Sequence, residues 1–158
     1  MAAEQTGPDA EALSSDGGFR IEFAVPADPA AVREARRIAR DMFTAWGLDL
    51  EARTVDSAVV ILAELVTNVV RHARVLCSQA DVALTLADGV LGVSVHDRHP
   101  YRPRALTSPH PDDSGGWGLQ LVRGLAAEAG GRTDVPADPD GNGKTVRVHL
   151  PLTANSRI

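Results

Sequence analysis

Read as a string of apolar and polar positions, the chain switches between two periods. Residues 19–25 set Phe19, Ile21, Phe23 and Val25 against Arg20, Glu22 and Ala24, the period-2 pattern of a half-buried strand, and Pro26 ends it. Asp28 followed by Pro29 then supplies an N-cap and a proline at the first helical position. Val32, Ala35, Ile38, Ala39, Met42, Phe43 and Trp46 recur at helical spacing until Gly47 stops the run. A second helix is predicted over residues 54–72, where Val55, Ala58, Val59, Leu62, Leu65, Val66 and Val69 form one apolar stripe. At 1.5 Å per residue that helix is about 28 Å long, enough to cover one face of a small sheet.

The period then returns to 2. Val82, Leu84 and Leu86 alternate, Asp88-Gly89 marks a hairpin turn, and Leu91, Val93 and Val95 alternate again. Residues 98–114 hold four of the ten prolines and little periodicity, which predicts a loop of lid-like length. Gly115-Gly116-Trp117-Gly118 opens a helix with a core stripe of Leu119, Val122, Leu125 and Ala126, closed by Gly130-Gly131. Residues 132–135 and 145–150 form a second hairpin around a loop rich in Asp, Gly and Pro. Strands joined mainly by hairpins, with helices free to share one face, predict an α+β protein: a two-layer α/β sandwich with a mostly antiparallel, mixed sheet. Residues 1–18 lack an apolar pattern and are expected to be disordered, residues 19–152 to form the domain, and residues 153–158 to be a tail.

Composition narrows the function classes. With 158 residues the chain holds one domain with a proper core. Its formal net charge of −5, with no dense cluster of Lys and Arg, argues against a nucleic-acid partner. Cys77 stands alone, so it can form neither an internal disulfide nor a thiolate cluster. The N-terminal residues carry neither a basic nor an apolar leader region, and no apolar run approaches the ~20 residues of a membrane span, so a cytoplasmic location without membrane contact is expected.

Three features could carry chemistry. Glu64 and Asn68 lie four residues apart, one turn apart on the same helical face, which places a carboxylate base beside a neutral oxygen ligand as a Mg²⁺–phosphate site requires. Alone, the pair reads first as the polar edge of an amphipathic helix. Asp97 ends a strand where a loop begins, and its carboxylate could accept a hydrogen bond from an exocyclic amine or simply start a turn. Gly115-Gly116-Trp117-Gly118-Leu119 places backbone without side chains at a helix N-terminus, whose unpaired N–H groups and positive dipole favour phosphate. Gly143-Lys144-Thr145 imitates the end of a P-loop, but Asp138 stands at the required earlier glycine and a strand follows. The five histidines show no zinc-ligand spacing, and Ser114 has no triad arrangement.

Glu64-Leu65-Val66-Thr67-Asn68, Val95-His96-Asp97, Gly116-Trp117-Gly118-Leu119-Gln120-Leu121-Val122 and Gly143-Lys144-Thr145 together resemble, in order and spacing, the N, G1, G2 and G3 boxes of the GHKL ATPases. The resemblance spans nearly the whole chain and is nearest to the anti-sigma-factor serine kinases, in particular single-domain actinobacterial members whose aspartate box is followed by prolines, here Pro100 and Pro103. It implies the Bergerat-type sandwich with helices on one face, and ATP and Mg²⁺ as ligands. By the same resemblance Glu64 is the general base toward a seryl or threonyl hydroxyl, Asn68 holds Mg²⁺, and Asp97 reads the adenine amine. Gly116, Gly118 and Leu119 wrap the phosphates, Thr145 lies near the adenine end, and His72 faces the phosphate side. The implied partners are a sigma factor and an anti-sigma-factor antagonist protein, with a homodimer also implied. The sequence departs from the family pattern at His99, where the G1 box has glycine, at Trp117, and at Gly130-Gly131. A serine/threonine protein kinase is the first functional reading. A binding module of the same fold that transfers no phosphate is the second, and the catalytic half of a histidine kinase is the third.

Overall fold

The computed structural model describes residues 17–73, 79–98 and 116–158. Its elements, in chain order, are β1 (Phe19–Pro26), α1 (Ala31–Ala45), α2 (Arg53–Asn68), a π-helical turn (Val69–Ala73), β2 (Gln79–Ala87), β3 (Val90–Asp97), α3 (Gly116–Glu128), β4 (Arg132–Asp134), β5 (Lys144–Pro151) and a 3₁₀ turn (Ala154–Ser156). The expected disorder of residues 1–18 falls almost wholly outside the described residues, as does the expected lid apart from Arg98.

The strands form one sheet in the order β1-β2-β3-β5-β4, and every described pairing is antiparallel. Register and alternation fix its two faces. Ile21, Leu84, Val93 and Val148 oppose one another across four strands, and Val82, Val95 and Val146 form the next row. These side chains are buried in one cluster with Ala35, Ala39 and Phe43 of α1, Val55, Leu62 and Val66 of α2, and Val122 and Ala126 of α3. All three helices therefore bury their apolar sides against this one face. The alternate residues, Glu22, Ala83, Ser94 and Arg147 in one row and Ala24, Asp81, His96 and Thr145 in another, face the other way.

The sandwich has two ends. At the turn end β2 passes to β3 through Asp88 (φ 52°) and Gly89 (φ 73°), the left-handed pair that a two-residue hairpin of the predicted kind needs. At the opposite end β3 stops at Asp97, level with Lys144 of β5. The segment expected to be a tail is docked at the turn end. Ser156 is fully buried, the Asp49 N–H donates to the Ser156 carbonyl at 2.9 Å, and Leu48 bridges Arg157.

Two boundaries differ from the sequence reading. α1 begins at Ala31 rather than at Pro29, because the Asp28 side chain accepts the Ala30 N–H at 2.9 Å and holds the entry as a turn. The second helix keeps α geometry only to Asn68, and continues to Ala73 as a π-helical turn.

Candidate functional site

The course of the chain carries three of the suspected segments to the Asp97 end. α2 starts beside the docked C-terminal segment at the turn end and packs on β3 and β5. Its sixteen residues span about 24 Å, close to the length of an eight-residue strand, so Glu64 and Asn68 in its last two turns lie toward Asp97. α3 runs the other way. It ends at Gly130-Gly131, where a side chain at Gly131 would strike the His149 carbonyl oxygen near the turn end, so its first residue, Gly116, lies toward Asp97. The end of α2, the end of β3, the start of α3 and the start of β5 thus share one rim of the sandwich.

At that rim Asp97 and Lys144 are directly opposed across β3 and β5 on the helix-covered face. Lys144 Nζ lies 3.0 Å from both Asp97 oxygens, and the residues are only 5% and 7% exposed. A buried ion pair recovers its desolvation cost only with good geometry, and this one is bidentate on the carboxylate side. Sequence reasoning passed over Lys144. The signal was present: Val146, Val148 and Leu150 face the core, so the strand alternation puts residue 144 on the core face and residue 145 on the other.

Glu64 and Asn68 are both half-buried. Among the described residues Glu64 has no hydrogen-bonding or charged partner, and Asn68 Nδ2 is buried with no acceptor. An orphaned buried amide donor costs free energy, and such groups mark places where a ligand supplies the missing acceptor. The helix changes to π geometry at the next residue, Val69, a distortion common at functional sites.

Thr145 lies apart from this group. It opposes His96 on the face away from the three helices and lines a concavity of about 530 Å³ there, with Arg20, Asp81, Ser94 and Arg147. His96 itself bridges two strands and a loop: Nε2 is 2.8 Å from Asp138 Oδ2 and Nδ1 is 3.3 Å from Asp81 Oδ2. Burial lowers the pKa of its imidazole, but the hydrogen bonds to Asp138 and Asp81 outweigh burial and raise it above the ordinary histidine value. Asp138 belongs to the loop leading into Lys144, and its N–H donates to the Gly143 carbonyl at 2.8 Å. Gly143 is forced by space, because a Cβ there would lie 2.7 Å from the Asp97 carbonyl oxygen and would strike the Asp138 carboxylate.

Gly116 and Gly118 fall in the first turn of α3, and the Leu119 side chain is buried in the core. Leu119 can therefore contribute only backbone to a phosphate site. Gly115 and His99 lie outside the described residues, and His72 lies within the π-helical turn. Among the described residues no group of His, Cys, Asp and Glu is arranged to hold a metal ion, so a cation here would depend on ligands such as Asn68 and phosphate oxygens. No helix among them is long and apolar enough to cross a membrane.

The family model described as "Histidine kinase-like ATPase domain" matches residues 25–150. The RsbU and RsbW domains of Rv1364c from Mycobacterium tuberculosis superpose with a TM-score of 0.63 at 22% identity, over 88% of this chain and 34% of that one. The histidine kinase domain of the blue-light activated histidine kinase from Erythrobacter litoralis EL346 superposes with a TM-score of 0.53 at 22% identity, over 83% of this chain and 63% of that one. The chain thus spans about a third of the first and less than two thirds of the second. No curated protein matches it.

Proposed function

The chain belongs to the histidine kinase-like ATPase domain family, and on that premise we propose that it is an ATP-binding regulatory protein that transfers phosphate to a seryl or threonyl hydroxyl of a partner protein. One observation carries the reading: Glu64, the orphaned amide of Asn68, the Asp97 carboxylate and the N-terminus of α3 share one rim of the sandwich. The α3 N-terminus offers N–H groups that have no intrahelical acceptor, from Gly116 and Gly118 onward, to phosphate oxygens. Asn68 fits a metal–phosphate group by its chemistry, since Oδ1 can ligate Mg²⁺ while Nδ2 donates to a phosphate oxygen. Mg²⁺, when bound, neutralises charge developing on the transferred phosphoryl group. Glu64, half-buried and with no cation paired to it among the described residues, accepts the proton of the attacking hydroxyl. Asp97 accepts a hydrogen bond from the base.

The partners of this reading are an anti-sigma-factor antagonist, as phosphate acceptor, and a sigma factor held by the protein when the antagonist is phosphorylated. A second reading, a partner-binding module without transfer, draws on His99 in place of the family's glycine. Calorimetry with Mg-ATP tests the site, and single-turnover transfer of labelled phosphate to a candidate antagonist tests the activity. Binding without transfer favours the module, and absence of binding removes the kinase reading while leaving a module that holds partners without ATP.

A further inference from the structure

We propose that His96 positions the base-reading end of β3: its protonated ring, gripped by Asp81 and Asp138, holds the loop of residues 135–143 against Asp97. This rests on the nucleotide reading given above. His96 lies one residue before Asp97, on the face away from the helices, with Asp81 of β2 and Thr145 of β5 directly opposite on either side. Both ring nitrogens meet carboxylates. Nε2 is 3.1 Å and 2.8 Å from the two oxygens of Asp138, and Nδ1 is 3.3 Å from Asp81 Oδ2. A neutral imidazole carries one N–H and can donate to only one of these acids, whereas an imidazolium donates to both. The grip is therefore complete only in the protonated ring. Burial lowers the pKa of that ring, and the bonds to Asp138 and Asp81 more than offset this.

The contact reaches Asp97 through Gly143. The Asp138 N–H donates to the Gly143 carbonyl at 2.8 Å, and the Asp138 carbonyl accepts the Gly141 N–H at 2.9 Å. The Thr145 N–H donates to the Pro136 carbonyl at 3.0 Å, so the loop is closed on itself. Gly143 fills the space between the Asp138 carboxylate and the Asp97 backbone. A Cβ there would strike the first and lie 2.7 Å from the carbonyl oxygen of the second. In packing this close a shift of Asp138 is passed on to Asp97. The other charged groups on this face are held in pairs: Arg20 with Glu22, Arg147 with Asp134, and Arg98 with Asp140. Asp97 and Lys144 lie on the opposite, helix-covered side of the sheet. Among the described residues facing Asp138, His96 is the one whose charge changes near neutral pH.

The test is calorimetric titration of the full chain with Mg-ATP from about pH 6 to about pH 9, as wild type, His96→Gln and Asp81→Asn. Wild-type affinity is expected to fall at least about fivefold across this range, the lower end of typical coupling between two sites. It should be highest in mild acid, where the ring is protonated, and fall as pH rises through the raised pKa of His96. His96→Gln should bind with one affinity throughout, close to that of the wild type at the alkaline end. Asp81→Asn keeps the Asp138 contact but removes one of the two carboxylates that favour protonation, so its transition should lie at lower pH. Asp81 is half-exposed, so this variant decides where His96→Gln does not fold. A histidine serving stability alone would lower the melting temperature without giving the folded protein a pH profile in affinity. Wild-type affinity independent of pH, a His96→Gln profile matching the wild type, or an Asp81→Asn transition at the wild-type pH overturns the proposal and leaves the nucleotide reading standing. Binding of Mg-ATP at no pH overturns both.

Discussion

His96 Nε2 lies 2.8 Å from Asp138 Oδ2, tying the end of β3 to the loop that delivers Lys144. Both carboxylates facing the ring, Asp138 and Asp81, favour its protonated form, and its pKa in the folded protein is raised. The folded chain therefore holds this proton more tightly than the unfolded chain. The resulting stabilisation is full below the unfolded value of about 6.5, and is lost as pH rises through the higher folded value. His96→Gln should thus cost most stability in mild acid, and progressively less toward alkaline pH. Urea unfolding of both proteins across this range checks it, and a difference independent of pH would remove the charged contact from the account.

Asp97→Asn serves as a probe of base reading, but it also breaks the buried ion pair with Lys144. Removing one partner of a buried pair typically costs about 3–5 kcal/mol, so the variant should unfold at clearly lower denaturant. Asp97→Asn combined with Lys144→Met should recover much of that loss, because the buried ammonium is removed along with the carboxylate it paired with. Chemical denaturation of the four proteins in the cycle measures the coupling. A double variant no more stable than Asp97→Asn would contradict the pairing seen here.

Two glycines should respond oppositely to alanine. At Gly143 the added methyl meets backbone, so the loop must shift, at a cost of about 1–3 kcal/mol. At Gly124, exposed within α3 with nothing inside 4 Å of a built Cβ, alanine should stabilise by up to about 1 kcal/mol through helix propensity. Thermal unfolding distinguishes them, and equal shifts would mean that the Gly143 loop is not held where it is described.

Glu64→Ala should keep nucleotide binding and lose about 10²–10⁴-fold in phosphate transfer, because a base acts chiefly in the transition state. Asn68→Ala should weaken both, since a metal ligand acts before and during transfer. Equilibrium Mg-ATP binding measured beside single-turnover transfer separates the two. Transfer at the wild-type rate by Glu64→Ala would end its assignment as base.

Much of this architecture is written in short-range pattern. Asp88-Gly89 specifies its hairpin because both residues tolerate positive φ, and the α2 stripe from Val55 to Val66 is buried as its spacing predicts. The Asp28 boundary was less legible, because a side-chain oxygen capping a turn and one capping a helix look alike in sequence. The π-helical turn after Asn68 depends on packing around the helix end, and Val69-Val70 carries no local mark of it. Grouping Glu64, Asn68 and Asp97 required the order of segments, since each is ambiguous alone. Lys144 was obscured differently: its motif drew attention to the hydroxyl at Thr145, while the alternation of β5 had already assigned the inward position to its neighbour.

The antiparallel course, with α1 and α3 running one way and α2 the other, separates anchoring from chemistry along the long axis. Phe19 stacked on Trp46 at 5.6 Å, buried Ser156 and the Leu48–Arg157 bridge all secure the turn end. The suspected ligand groups gather at the other. Contacts at the turn end can therefore be changed without touching the suspected ligand groups, and changes at the two poles are far enough apart to combine additively.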